Sequence, residues 1–336
     1  MRDIPLLIPI LLILFVSLGL ARVKTILVVG AFSLFFVYGY LKGENIGTPR
    51  RRIEVNDDVF SVMLILSVII ILIQIANLRG IPLLHPHLRT HLNPKLTGLT
   101  YFLGLPSSVY LIIRGKKLGF LYPLMVALYA YRTPVLVALI ALTLPYLEDM
   151  KKGKKAVEIG VIGIFLLFLI SYFRGSLSFL TRIQGTTSVL DVIVKRCSVV
   201  GFYKGELQLA GVKSYIFGGL GPRTMIARYL GIPGVTITAT LIGGMYLDFG
   251  LLSSLEMLLL GFYYGIMKKL RSDVGRSFYY STLSYGIVGV ETGILDLPVY
   301  LMILVGLLIA WREFDGNLRK DIRRIISWIS SSSNNW

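Results

Sequence analysis

The sequence predicts an all-α polytopic membrane protein, and three observations carry that prediction. Hydrophobic residues make up 55% of the 336 and charged residues only 16%. The mean hydropathy is +0.73. Apolar runs of spanning length recur along nearly the whole chain, and no segment between them is long enough to build a soluble core. Residues 1–311 therefore read as a single integral membrane domain and 312–336 as a basic cytoplasmic tail that ends in a polar, serine-rich stretch.

Taken in order, the first apolar run, 4–21, follows a lone Arg2 and lacks a small-residue cleavage pattern, so it reads as a retained span rather than a signal peptide. Further spans are expected at 25–41, 59–78, 98–113, 118–131, 133–147, 156–172, 251–267, 277–293 and 296–311, about ten in all. Basic clusters punctuate them: PRRR at 49–52, RGKK at 114–117, KKGKK at 151–155, MKKLR at 267–271 and RKDIRR at 319–324. An inside N-terminus sends the first three clusters to the cytoplasm, as the positive-inside rule requires. The two short runs around Arg132 then make a tight hairpin whose turn faces out. A large external loop, 173–235, follows the seventh span. For MKKLR to return inside, residues 235–267 must cross an odd number of times. The reading that keeps all five clusters inside takes 236–247 as a re-entrant or interfacial half-helix, broken at the DFG of 248–250, and 251–267 as the true crossing. Two full spans there would put MKKLR and the tail outside. The expected location is the cell membrane, multi-pass, with both termini cytoplasmic.

Composition also excludes. A net charge of +17 suggests nucleic acid, but the cations lie in short loops between spans and serve topology first, so no nucleic-acid partner is expected. One cysteine, Cys197, rules out an intramolecular disulfide and a multi-cysteine metal site. The remaining soft ligands are His85, His87 and His91.

Topology does not explain the charge assigned to the exterior. Arg79, Arg89, Lys95, Arg132, Arg174, Arg182, Lys195, Arg196, Lys204, Lys213, Arg223 and Arg228 face only Asp191, Glu206, Asp248, Glu291 and Asp296. For any single arginine, snorkelling to headgroups is an adequate account. Several arginines in glycine-rich surroundings on one face instead suggest a phosphate or pyrophosphate site, because guanidinium forks match phosphate oxygens and glycines let backbone N–H groups approach.

Three segments, RGIPLLHPHLR after the third span, YRTPVLVALIALTLPY at the fifth and sixth, and ITATLIGGMYLDFGLLSSLEMLLLGFYYG after the large loop, resemble in that order the oligosaccharide repeat unit polymerases. This is the O-antigen polymerase group, which is related to the O-antigen ligases. The resemblance covers roughly residues 59–270. It implies an integral membrane glycosyltransferase that polymerises polyprenyl-pyrophosphate-linked oligosaccharide repeat units on the external face. No cofactor, nucleotide sugar or metal is implied. The implied partners are the lipid-linked glycans and membrane lipid, with a flippase or chain-length regulator as further candidates. In such enzymes outward arginines hold the pyrophosphate, and the matching positions here are Arg132 and Arg174, with Arg223 and Arg228 behind them. Ligase-type relatives use a histidine in the large loop, which this loop lacks.

Glycosyl transfer from a pyrophosphate needs a clamp on the leaving group, an acceptor for the hydroxyl proton, and exclusion of water. Arg174 and then Arg132 are the leading clamps, with Arg223, Arg228 and Arg89 as binding candidates. The candidate bases are Glu291, Asp248, His85 and His87. For Asp248 a capping or pairing role is favoured, because intramembrane acids commonly pair. Rival readings are an O-antigen-ligase-like transfer to another acceptor and a transporter or flippase for an anionic lipid-linked glycan. Against the second, no internal repeat relates the halves and the unexplained charge sits on one side.

Overall fold

The computed structural model describes residues 3–148, 157–161, 179–197 and 199–314, and every regular element among them is helical. The helices are α1 (Leu7–Leu18), α2 (Val23–Glu44), α3 (Asp57–Asn77), α4 (Pro94–Ile113), α5 (Leu121–Ala127), α6 (Arg132–Glu148), α7 (Phe179–Arg196), α8 (Glu206–Ile216), α9 (Pro222–Tyr229), α10 (Leu241–Phe249), α11 (Ser254–Met267), α12 (Asp273–Thr292) and α13 (Leu297–Phe314). Most of the expected span 156–172, the cluster 151–155, Arg174 and the tail from 315 lie outside the described residues.

Among the described residues, five stretches are long and apolar enough to cross a membrane: α2, α3, α4, the 241–267 stretch and α13. The protein is thus a helical membrane protein, but the expected count of about ten is not carried. The physical reason is plain in α5 and α12. The first is a helix of only seven residues. The second is long but too polar, with Ser277, Ser281, Thr282 and Ser284 all buried. Those hydroxyls donate to carbonyls one turn back within α12, which removes their cost away from water. Conversely α3 buries only 28% of its most apolar window, against 67% for α4. The most apolar of the span-length stretches faces outward and a polar helix fills the centre, as a lipid solvent allows.

The closest helix pair is α2 with α11. A Cβ on Gly39 would stand 2.0 Å from the Leu258 carbonyl oxygen, and one on Gly261 would stand 2.0 Å from that of Phe36. Gly43 likewise meets Phe262, and Gly265 meets Tyr40. The paired numbers rise together, so the helices run parallel, each contributing a Gly-xxx-Gly face that lets the backbones touch. The expected break before α11 is present: α10 ends at Gly250, whose φ is +60°. At nine residues α10 rises only about 13 Å, and its side chains are buried in protein rather than exposed at a surface.

Parallel packing brings Lys268, just past α11, to the end of α2. Its ammonium donates to Asp3 at 2.5 Å, Glu44 at 2.7 Å and Tyr40 at 2.9 Å. The same end holds Arg52 and Arg114, both paired with Asp273, and Asp57, paired with Arg114 and Lys116. There too Glu313, fully buried at the end of α13, accepts from the Ser272 hydroxyl and from the Arg271 N–H at 2.9 Å. Three of the basic clusters therefore converge on one end of the bundle, as the predicted alternation of spans requires.

Candidate functional site: an arginine-lined cavity

The opposite end is open. A cavity of about 560 Å³ lies between the start of α4, the start of α6, the end of α12 and the start of α13, and is roofed by α7, α8 and α9. Arg89, Arg132, Arg182 and Arg223 line it, with Tyr101, Tyr131, Tyr215, Tyr285, Thr236, Thr238 and Asp296.

Local sequence explains how each arginine arrives. Arg132 opens α6 directly after a tight turn in which Ala130 takes a φ of +59°, a left-handed conformation costing an L-residue about 1 kcal/mol. This is the expected hairpin around Arg132. Arg89 sits on a 3-10 turn opened by Pro86; its carbonyl accepts from the Tyr131 hydroxyl at 3.0 Å and its guanidinium lies over the Tyr131 ring at 6.0 Å. Arg182 belongs to the first turns of α7. That helix is docked on the α1–α2 turn, where Asp191 accepts the Arg22 N–H at 3.1 Å and Thr187 packs on Gly19. Arg223 lies in the first turn of α9, which is held by the Tyr203 hydroxyl donating to the Met225 carbonyl at 3.0 Å and by an edge contact of Phe202 with Tyr229.

Two carboxylates answer these cations. Glu291 pairs with Arg182. Asp296 accepts from Arg223 at 2.8 Å, and that carboxylate, outweighing partial burial, raises the Arg223 pKa, so the guanidinium is charged at any accessible pH. Arg132 feels Arg182, Glu291 and Arg89 as neighbouring charges. The α12–α13 turn that carries Asp296 is pressed by α8, since a Cβ on Gly211 would stand 2.1 Å from the Leu295 carbonyl oxygen. Thr236 and Thr238 come from the irregular segment just before α10.

Of the residues expected from sequence, Arg89, Arg132 and Arg223 come together here, with Glu291 beside them through Arg182. Arg174 lies outside the described residues. Arg228 is exposed and not part of the lining; five positions after Arg223 on one helix, it points to another face. His85 and His87 are exposed, their rings 6.0 Å apart, and neither lines the cavity. Asp248 is fully buried away from the cavity and caps α8, accepting the N–H groups of Gly205 at 2.7 Å, Leu207 at 3.2 Å and Gln208 at 3.0 Å. That is the capping role favoured for it. Sequence reasoning left Arg182 and Asp296 among the exterior charges without singling them out. The signal available for Arg182 was the amphipathic pattern of 179–196, which marks a helix docked on a surface.

A site with four guanidiniums, tyrosine faces and threonine hydroxyls suits an anionic group. A protein of Methanocaldococcus jannaschii described as uncharacterized is 27% identical over 303 residues, covering 82% of this chain and 85% of its own length. No solved structure matches. The sequence profile of the O-antigen polymerases matches residues 1–303, so the chain belongs to the O-antigen polymerase family.

Proposed function

We propose that the protein is a membrane glycosyltransferase that polymerises polyprenyl-pyrophosphate-linked oligosaccharide repeat units, and that the arginine-lined cavity is where the bond forms. The observation that carries this reading is the excess of guanidiniums in one cavity: Arg89, Arg132, Arg182 and Arg223 against Glu291 and Asp296. A pyrophosphate bridging sugar and carrier brings a negative charge on each phosphoryl group. It gains a further charge as the sugar leaves, so fixed cations stabilise the transition state more than the bound substrate. Arg132 and, by the family resemblance, Arg174 take the clamp role. Arg89, Arg182 and Arg223 complete the anion site, and the tyrosine faces stack on sugar rings. The roof of α8 and α9 restricts water at the reacting carbon.

On this reading the cavity end faces the exterior of the cell membrane, and the end with the basic clusters faces the cytoplasm. With Cys197 replaced by serine, a cysteine at exposed Lys213 is expected to react with an impermeant reagent from outside, and one at exposed Lys117 only from inside. Labelling of both from the same side overturns the topology. The function itself is tested by incubating purified protein with lipid-linked oligosaccharides extracted from source cells that lack it. A ladder of longer lipid-linked glycans is expected. Transfer to a non-lipid acceptor in place of a ladder would instead mark a ligase.

A further inference from the structure

We propose that Asp296 is the group that accepts the proton of the attacking sugar hydroxyl in the cavity; the assignment rests on the transferase reading above. Every candidate base expected from sequence is engaged or placed elsewhere. Glu291 stands behind Arg182 and outside the lining, Asp248 is spent on the N–H groups of α8, and His85 and His87 are exposed outside the lining. Asp296 is the carboxylate that lines the cavity among the described residues.

Its geometry suits the role. Arg223 donates to Oδ2 at 2.8 Å, which fixes the carboxylate and leaves Oδ1 as a second acceptor. The backbone of Asp296 opens α13, with its carbonyl accepting from Val299 at 3.0 Å, so the side chain stands on a rigid element rather than a loose loop. Close approach of α8 at Gly211 sets the height of that turn. Around it stand Tyr215, Tyr285, Thr238 and Thr292, a wall of rings and hydroxyls suited to a neutral sugar, whereas Arg89, Arg132 and Arg182 gather with Tyr131.

The step balances without a further reactant. The acceptor oxygen forms a bond to the anomeric carbon of the donor sugar. The bond from that carbon to the pyrophosphate oxygen breaks, and its electron pair leaves with the polyprenyl pyrophosphate. The hydroxyl proton passes to the Asp296 carboxylate and then to water. A carboxylate is an adequate base here because the hydroxyl becomes acidic only as the new bond forms, the situation in inverting transfer at an oxocarbenium-like centre.

The test compares wild type, Asp296→Asn and Asp296→Glu on extracted lipid-linked oligosaccharides, with binding of plain polyprenyl diphosphate measured separately. The proposal expects Asp296→Asn to bind polyprenyl diphosphate as wild type does while ladder formation slows by about 10²–10⁴-fold. It also expects Asp296→Glu to restore part of the rate. A wild-type ladder from Asp296→Asn overturns the assignment and leaves the transferase reading intact. Parallel loss of binding and turnover in Asp296→Asn also overturns it, because Asp296 then serves only to position Arg223. Wild-type protein that neither binds polyprenyl diphosphate nor extends the glycans overturns both.

Discussion

The two ends of the helix bundle use the same residue types to opposite effect. At one end a cavity of about 310 Å³ is lined by Arg52, Glu54, Tyr110, Arg114 and Asp273, and its guanidiniums are shared between Asp273 and Asp57. At the other, about 560 Å³ is lined, among the described residues, by four arginines and a single carboxylate, with Glu291 just behind Arg182. At the first end the guanidiniums are tied to acids and link loops together; at the second, guanidiniums outnumber carboxylates among the described residues. Cations placed for topology are cheap to satisfy with local acids, whereas cations left in excess inside a cavity cost stability and are explained by what they bind.

The largest expected effect on that contrast comes from the cavity. Arg132→Ala should slow ladder formation by about 10²–10³-fold, the range for losing one preorganised donor to a developing anion, while the protein still inserts and keeps its thermal transition. An unchanged rate would remove the pyrophosphate clamp from the cavity.

Next is the helix pair that holds the two ends in register. Gly261→Leu would drive a side chain into the Phe36 carbonyl, 2.0 Å from its Cβ, and should cost at least about 1–3 kcal/mol, read as a lowered unfolding temperature in detergent. A neutral result would mean that α2 and α11 do not approach at their glycines.

Lys268→Met probes the first end. Burial by itself would lower the Lys268 pKa, but its hydrogen bonds to Asp3, Glu44 and Tyr40 together hold it above the ordinary value. The lysine side chain is 8% exposed, but Asp3 and Glu44 are 58% and 36% exposed, so water compensates them and about 1 kcal/mol is expected, with the polymerisation rate unchanged. The pH dependence has a definite sign. The hydrogen bond from Lys268 lowers the Asp3 pKa below its usual 3.8, so this contribution is present above that value and is lost as the pH falls through the lowered one. Acid titration of the unfolding temperature should show the loss in wild type and not in Asp3→Asn.

The smallest effect is expected at Arg51, whose side chain is exposed and whose backbone N–H donates to the Glu313 carbonyl at 3.1 Å. Arg51→Ala should change stability by no more than about 0.5 kcal/mol and leave the ladder unaltered.

Much of the scaffold was legible because hydropathy is a local quantity. It located helices near the expected spans within the described residues, and charge alternation foretold that 49–52, 114–117 and 267–271 would meet at one end. The break at 248–250 was readable from its glycine. The Gly-xxx-Gly repeats at 39–43 and 261–265 were also present in the sequence, but a repeat alone names no partner. α12 is the reverse case: a span was expected at 277–293, but the helix supplies polar residues to the centre and its hydropathy falls short of a span.

The sequence by itself determined the class of molecule, the order of its helices, and the expectation that more arginines gather at one face than insertion requires, since each depends only on composition and on neighbours along the chain. Tertiary structure alone decided which charges act together. Arg182 and Glu291 are brought to one ion pair, and Arg223 and Asp296 to another, from helices distant in the chain, while Asp248 and both candidate histidines are carried elsewhere. That choice is made where Tyr215 of α8 settles on Gly98 and Gly211 of α8 meets the Leu295 carbonyl, because close contact there fixes the roof and the Asp296 turn together.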